Sequence, residues 1–258
     1  MGAALLAAAL PCLPACAPRS ERTTGHRPIV VLVHSPLVGP FSWEPVADVL
    51  RRRGDTVLVP DLRSGTDQGA PYFEHHAAIV ARAVKDLRRP VILVAHSGAG
   101  VLLPAIEAAI GRPAAARIFV DAIFPQDQRS RLDLFATPAE ADDFRHAAKD
   151  GLLPVWTDAD LEGAIPDAGL RHALVAELRP SPLAVYEEAI PVASSWNPVP
   201  CRYLRLSDSY AGDLARSRRA GCATEERPSG HFAVVTDAQP IADLLAAWID
   251  DAARDAGR

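Results

Sequence analysis

The sequence predicts an α/β fold: a mostly parallel central sheet flanked by helices, with a helical segment inserted late in the chain. Three observations predict it. Short runs that are apolar on consecutive residues recur along the chain, as strands covered on both faces require. Stretches with apolar residues at helical spacing separate them, and such alternation builds right-handed crossovers and a parallel sheet. With 258 residues, 49% hydrophobic and 23% charged, the chain carries enough apolar material for one large core.

The first strand is "IVVLV", Ile29 to Val33, closed by His34. A helix over residues 41–53 follows, with Trp43, Val46, Ala47, Val49 and Leu50 on its apolar face. Residues 56–59 form the second strand, ending at Pro60-Asp61, and residues 73–87 the second helix, with Ala77, Val80, Ala81, Val84 and Leu87 inward. Residues 91–94 are a strand running into Ala95-His96-Ser97, then a helix over 98–110. Residues 117–120 lead to Asp121. From about 126 to 199 the rhythm breaks into helical pieces at 138–149, 166–178 and 182–190, each opened by a proline, which fits a first helical turn. No strong strand is expected there. This segment reads as a cap over the sheet's carboxyl edge, where open α/β sheets bind ligands, within a single domain spanning 27–258. A strand over 201–206 and a helix over 241–253 close the chain.

Residues 1–26 read as a leader, disordered or signal-like. Its apolar stretch is too short to span a bilayer. Leu13-Pro14-Ala15-Cys16 matches a bacterial lipoprotein cleavage box, with lipid on Cys16, yet no Lys or Arg precedes it. The balance falls on a cytoplasmic protein, with an exported lipoprotein lipidated at Cys16 as the alternative. Cys12, Cys16, Cys201 and Cys222 form no C-x-x-C motif, so zinc and redox readings are weak. Cys201 and Cys222 read as two buried thiols, able to pair if the protein is exported. A net charge of −5 without a basic stripe argues against nucleic acid. No metal cluster, dinucleotide fingerprint or transmembrane segment is present, so the expected partner is a small-molecule substrate and no cofactor. No pattern specifies an oligomeric state.

The chemistry concentrates in "VILVAHSGAGVLL". Ser97 lies between a buried strand and a helix, at a turn so tight that Ala95 and Ala99 must be small. The Gly98 N–H opens the helix, aimed where negative charge can develop. This is a nucleophile elbow with alanine at both outer positions of G-x-S-x-G.

The ordered set "VVLVHSPLVGPFSWEPVADVL", "VLVPDL", "VILVAHSGAG", "RIFVDAIFP", "YLRLSDSY" and "SGHFAVVTDAQPIADLLAAWI" resembles the α/β-hydrolase family. It is most similar to small capped esterases related to plant methyl-ester esterases and hydroxynitrile lyases, over nearly the whole chain after about residue 27. The resemblance implies a serine nucleophile, Ser97, activated by a histidine base. His231, after Ser229-Gly230 and before the last helix, matches the family's catalytic histidine, whereas His96 adjoins the serine and is expected to point elsewhere. The acid that orients the histidine is expected at Asp208, with Asp121 as alternative and Asp213 third. One departure matters. The loop after the first strand reads His34-Ser35-Pro36-Leu37, and proline stands where the family's second oxyanion N–H belongs. Proline has no N–H. Leu37 N–H or the Ser35 hydroxyl must then join Gly98. His34, Phe135, Leu152, Trp156 and Tyr186 are expected to line the pocket.

The implied activity is cofactor-independent hydrolysis of an ester, thioester or lactone of a small-to-medium apolar substrate. Two alternatives share the fold: a hydroxynitrile-lyase-type reaction, whose extra cap lysine has only Lys149 as counterpart here, and a non-catalytic ligand-binding protein on a retained scaffold.

Overall fold

Strands that are apolar on successive residues need cover on both sides, and the chain supplies it. The computed structural model describes residues 27–198 and 200–256. The leader, with Cys12, Cys16 and His26, lies outside the described residues. The chain begins with β1 (Ile29–Val33), α1 (Glu44–Arg52), β2 (Thr56–Leu58), the single turn α2 (Arg63–Thr66) and α3 (Tyr72–Val84). β3 (Val91–Ser97) passes through a 3-10 turn into α4 (Leu103–Ile110), and β4 (Ala116–Ala122) follows. The chain then leaves the sheet for α5 (Pro138–Ala147), β5 (Leu152–Leu153), α6 (Asp158–Leu161), α7 (Ala168–Val175), β6 (Ser181–Pro182) and α8 (Ala184–Glu187). It returns as β7 (Cys201–Arg205), α9 (Ala211–Arg219), β8 (Ala223–Glu226), α10 (Ala233–Thr236) and α11 (Ala238–Ala256).

Six strands make one sheet in the order β2-β1-β3-β4-β7-β8, every neighbouring pair parallel. Alternate residues of each strand enter opposite cores. Ile29, Val31, Val33, Leu93, Phe119 and Tyr203 join one core with α3 and α4 residues. Val30, Leu32, Ile92, Val94, Ile118, Val120 and Leu204 join another with α1 and α11 residues. Trp43 illustrates how a polar atom is accommodated: its ring is buried, and its Nε1–H donates to the Val33 carbonyl at 3.1 Å.

Three features differ from expectation. β8 was not foreseen, because "ATEE" has no apolar run. It is an edge strand whose Glu226 pairs with Arg205 and Arg218, the charged design that protects sheet edges. Within 126–199, where no strand was expected, β5 and β6 form a short antiparallel ribbon. Cys201 and Cys222, read as thiols, are joined as a disulfide that ties the start of β7 to the turn before β8. The expected helices there appear as α5, α7 and α8, and caps explain two of their starts. Thr137 and Glu140 form a reciprocal capping box ahead of Pro138, and Asp167 accepts the Leu170 N–H. Among the described residues no helix is long and apolar enough to cross a membrane.

Candidate active site

The carboxyl ends of β1, β3, β4 and β7 converge, and each delivers one part of the site. Ser97, at the end of β3, has φ 58°, a left-handed backbone that a non-glycine residue adopts only under constraint. The constraint is visible just beyond it. A Cβ on Gly100 would stand 2.2 Å from the Ile123 carbonyl oxygen, so the helix start passes hard against the chain leaving β4. Ala95 and Ala99 are fully buried on the same bend. The Ser97 hydroxyl is thereby held at the apex, where it shares a 3.2 Å hydrogen bond with the Tyr210 hydroxyl.

His231 sits in the turn before α10. Its Nδ1–H donates to Asp121 Oδ2 at 2.8 Å, leaving Nε2 as a free acceptor. The ring is flanked on two sides, by Tyr210 with centroids 5.1 Å apart and nearly parallel planes, and by His96 at 4.4 Å. His96 therefore points toward the histidine, where the sequence suggested no role for it. Its Nε2–H donates to the His231 carbonyl at 3.0 Å, and burial drops its pKa to about 3. It is a neutral brace under the imidazole.

The acid position requires a correction. Asp208, expected on His231, has a side chain 99% exposed and is ion-paired with Arg205. Asp121 holds the place instead. It is fully buried at the end of β4 with φ 42°. One oxygen accepts the backbone N–H groups of Leu206 (2.9 Å) and Ser207 (3.0 Å). The other accepts the Ser207 hydroxyl (2.6 Å) and His231. Burial alone would raise this carboxyl, but the His231 hydrogen bond and charge, with the Ser207 and Leu206 donors, hold it below its ordinary value. Asp213, third in order, accepts the Phe124 N–H and pairs with Arg216.

The loop after β1 folds as a turn closed by Val38 N–H on the Ser35 carbonyl (3.1 Å). Pro36 and Leu37 occupy its corners, a setting that suits proline. Among the described residues neither the Gly98 nor the Leu37 N–H has a hydrogen-bond partner. The buried Ser35 hydroxyl shares a 3.3 Å hydrogen bond with Tyr186, and a Cβ built on Gly98 would lie 3.2 Å from it. His34, expected as a pocket wall, is instead a structural pin. Fully buried, it accepts the Leu62 N–H on Nε2 (3.0 Å), so its Nδ1–H donates to the Ser35 carbonyl (2.8 Å). Burial lowers its pKa to about 4.

Two cavities flank this centre. One of about 130 Å³ is lined by Leu37, Phe144, Leu153, Trp156, Leu178 and Arg179. Another of about 240 Å³ lies between Phe135, Leu134, Ile123 and Tyr210. Trp156 meets Phe232 edge-on at 6.0 Å, and Phe232 meets His231 at 5.5 Å, so an aromatic ladder connects the first cavity to the imidazole. Tyr186 is buried against Phe144, while Leu152 is exposed on the ribbon. Tyr210 and Arg131 escaped the sequence reading. The first stands in the quoted "YLRLSDSY" without a motif role, and a lone arginine reads as surface.

A model of the alpha/beta hydrolase family matches residues 30–247. The chain belongs to the alpha/beta hydrolase family. The same fold occurs in an extracellular alpha/beta-hydrolase from a Paenibacillus species, described as sharing structural and functional homology with tobacco salicylic acid binding protein 2; the two are 20% identical over 85% of this chain and 98% of that one, with a TM-score of 0.70. A pyrethroid hydrolase from Sphingobium faniae is 19% identical over 86% and 97%, TM-score 0.65. Tomato methylketone synthase I is 16% identical over 87% and 98%, TM-score 0.66. At these identities the likeness establishes the shared fold. No curated protein matches in sequence.

Proposed function

We propose that this hydrolase cleaves a carboxylic ester, thioester or lactone with a small-to-medium apolar group, through acylation of Ser97. The carrying observation is the His231–Asp121 hydrogen bond of 2.8 Å, set beside a serine held in a strained elbow. With Nδ1 donating to a carboxylate, the imidazole presents Nε2 as a base. In this mechanism Ser97 Oγ leaves its Tyr210 partner, gives its proton to Nε2 and attacks the carbonyl carbon. Asp121 stabilises the imidazolium, which then protonates the leaving alcohol. Water deacylates the serine by the same route in reverse. In this reading Gly98 N–H, without a competing partner among the described residues, faces the developing oxyanion, and Leu37 N–H and the Ser35 hydroxyl are the β1-loop candidates for a second donor. The apolar wall at Leu37, Phe144 and Trp156 favours a compact hydrophobic substituent; a cavity of similar size elsewhere accommodates a benzene ring.

The lyase alternative loses support, since Lys149 is exposed on the ribbon turn. Intact-mass analysis after a fluorophosphonate probe tests the reading. A single adduct on Ser97, absent in His231→Ala, supports it, and the absence of any adduct on folded protein favours a non-catalytic binder.

A further inference from the structure

Arg131 has no part in the reaction above, yet its position is the least expected in the molecule. Its side chain is 0% exposed. Nε–H donates to the Gly98 carbonyl at 2.8 Å, and Nη1 donates to the Val185 carbonyl at 2.7 Å. Among the described residues Nη2 is buried without a partner. Among the described residues no carboxylate lies within ion-pair distance of it. Glu188, whose charge acts on it, spends its oxygens on the Tyr72 and Phe73 N–H groups. A guanidinium cannot shed its proton in a protein, and a buried ion without a counter-ion is among the costlier things a fold can hold. This one is anchored to the residue after the nucleophile.

The same arginine fixes Tyr186. Val185, which it grips, precedes that residue, and the guanidinium lies 5.5 Å from the Tyr186 ring centre. The Tyr186 hydroxyl thereby reaches the elbow: a Cβ built on Gly98 would stand 3.0 Å from it. Among the described residues its one hydrogen bond is the long contact to Ser35, at 3.3 Å. Burial raises its pKa, so the phenol keeps its proton and remains a donor.

We propose that the Tyr186 hydroxyl, brought in from α8, replaces the oxyanion donor that Pro36 cannot provide, and that Arg131 is its positioning residue and the source of a positive field at that point. The inference rests on the ester-hydrolase reading. Tyr186 is then a catalytic residue contributed by the inserted segment, and oxyanion stabilisation depends on that segment being docked. A cation and a hydroxyl fixed in a dry site act on a developing alkoxide without reorganising.

The test uses p-nitrophenyl butyrate turnover and inhibition by phenylboronic acid, which adds to the serine oxygen as an anionic tetrahedral adduct while the serine proton passes to His231. Ser97→Ala must abolish turnover. Tyr186→Phe is expected to lower kcat by about 10²–10³-fold, the loss typical of one oxyanion donor, with KM nearly unchanged and boronate affinity reduced in parallel. Arg131→Lys, which keeps the charge, is expected to retain more boronate affinity than Arg131→Met at equal KM. Because Tyr186→Phe removes a single oxygen and keeps the ring's packing, it decides the matter even where an arginine variant fails to fold. If Tyr186→Phe keeps wild-type kcat and boronate affinity while Ser97→Ala is inactive, the proposal is wrong and the hydrolase reading stands. If Ser97→Ala still turns over, the hydrolase reading falls and carries the proposal with it.

Discussion

Replacing Asp121 by asparagine separates the two candidate acids. In the proposed mechanism the carboxylate faces an imidazole that is neutral at rest and charged in the transition state, so their attraction acts almost wholly on the barrier. Across the 2.8 Å contact, an effective dielectric of about 20 gives about 6 kcal/mol. That corresponds to a rate loss on the order of 10⁴-fold, in line with the effect of the same change in other serine triads. The fold should survive, because an amide oxygen can still accept the Leu206 and Ser207 N–H groups. The amide nitrogen would then donate to Nδ1 and leave Nε2 protonated, unable to act as base. Asp208→Asn, on a side chain open to solvent, should leave kcat/KM within about twofold, as surface changes usually do. Both variants are assayed for p-nitrophenyl ester turnover, with thermal melts to confirm folding. An active Asp121→Asn protein, or a dead Asp208→Asn one, refutes the assignment.

Four further outcomes follow from the structure. Tyr210→Phe releases the Ser97 hydroxyl from its resting partner; one neutral hydrogen bond of about 1 kcal/mol translates into fluorophosphonate labelling up to about fivefold faster, and a tenfold slowing would show instead that Tyr210 assists the reaction. Gly100→Ala drives a methyl group into the Ile123 carbonyl, so a destabilisation of about 1–3 kcal/mol or more is expected, read as loss of soluble protein or a depressed Tm. Acid should weaken the fold below about pH 6.5, the value for unperturbed histidine: burial holds His34 at about 4 and His76 and His96 at about 3, so the unfolded chain binds protons that the folded one excludes. Their stabilisation is complete above the unfolded value and disappears as pH falls toward the folded ones; equal urea midpoints at pH 7.5 and pH 5 would contradict this. Reducing the Cys201–Cys222 bridge, whose partners are 21 residues apart, should cost about 3 kcal/mol by loop entropy, seen as a lower Tm in dithiothreitol.

Much of this architecture was legible because parallel strands declare themselves. Four runs apolar on successive residues correspond to β1, β2, β3 and β4, the candidate strand over 201–206 corresponds to β7, and the small residues around Ser97 announced the elbow. β8 was silent, since an edge strand is stabilised by its ladder and ion pairs more than by burial. The aspartate that meets His231 differs from the one expected because one aspartate ends β4 and another follows β7, and only the three-dimensional approach of the β4 terminus to the turn before α10 selects between them. Arg131 and Tyr210 are invisible for a related reason. Arginine and tyrosine are common on surfaces, and nothing local marks the one guanidinium enclosed beneath the helix start or the one phenol resting on the serine. Those identities come from contacts between segments far apart in the chain, which no periodicity encodes.

The placement of Asp121 has a consequence for how this scaffold can change. The carboxylate that holds the imidazole also anchors the backbone where the chain departs from β7, so in the proposed mechanism turnover and integrity of the sheet's exit are yoked in a single side chain. Asp208 itself, open to solvent and apart from the histidine, is free to drift. Mutational libraries aimed at a new substrate would find tolerance at Asp208, and would find at Asp121 a position where any replacement unable to accept the Leu206 and Ser207 N–H groups sacrifices architecture along with rate.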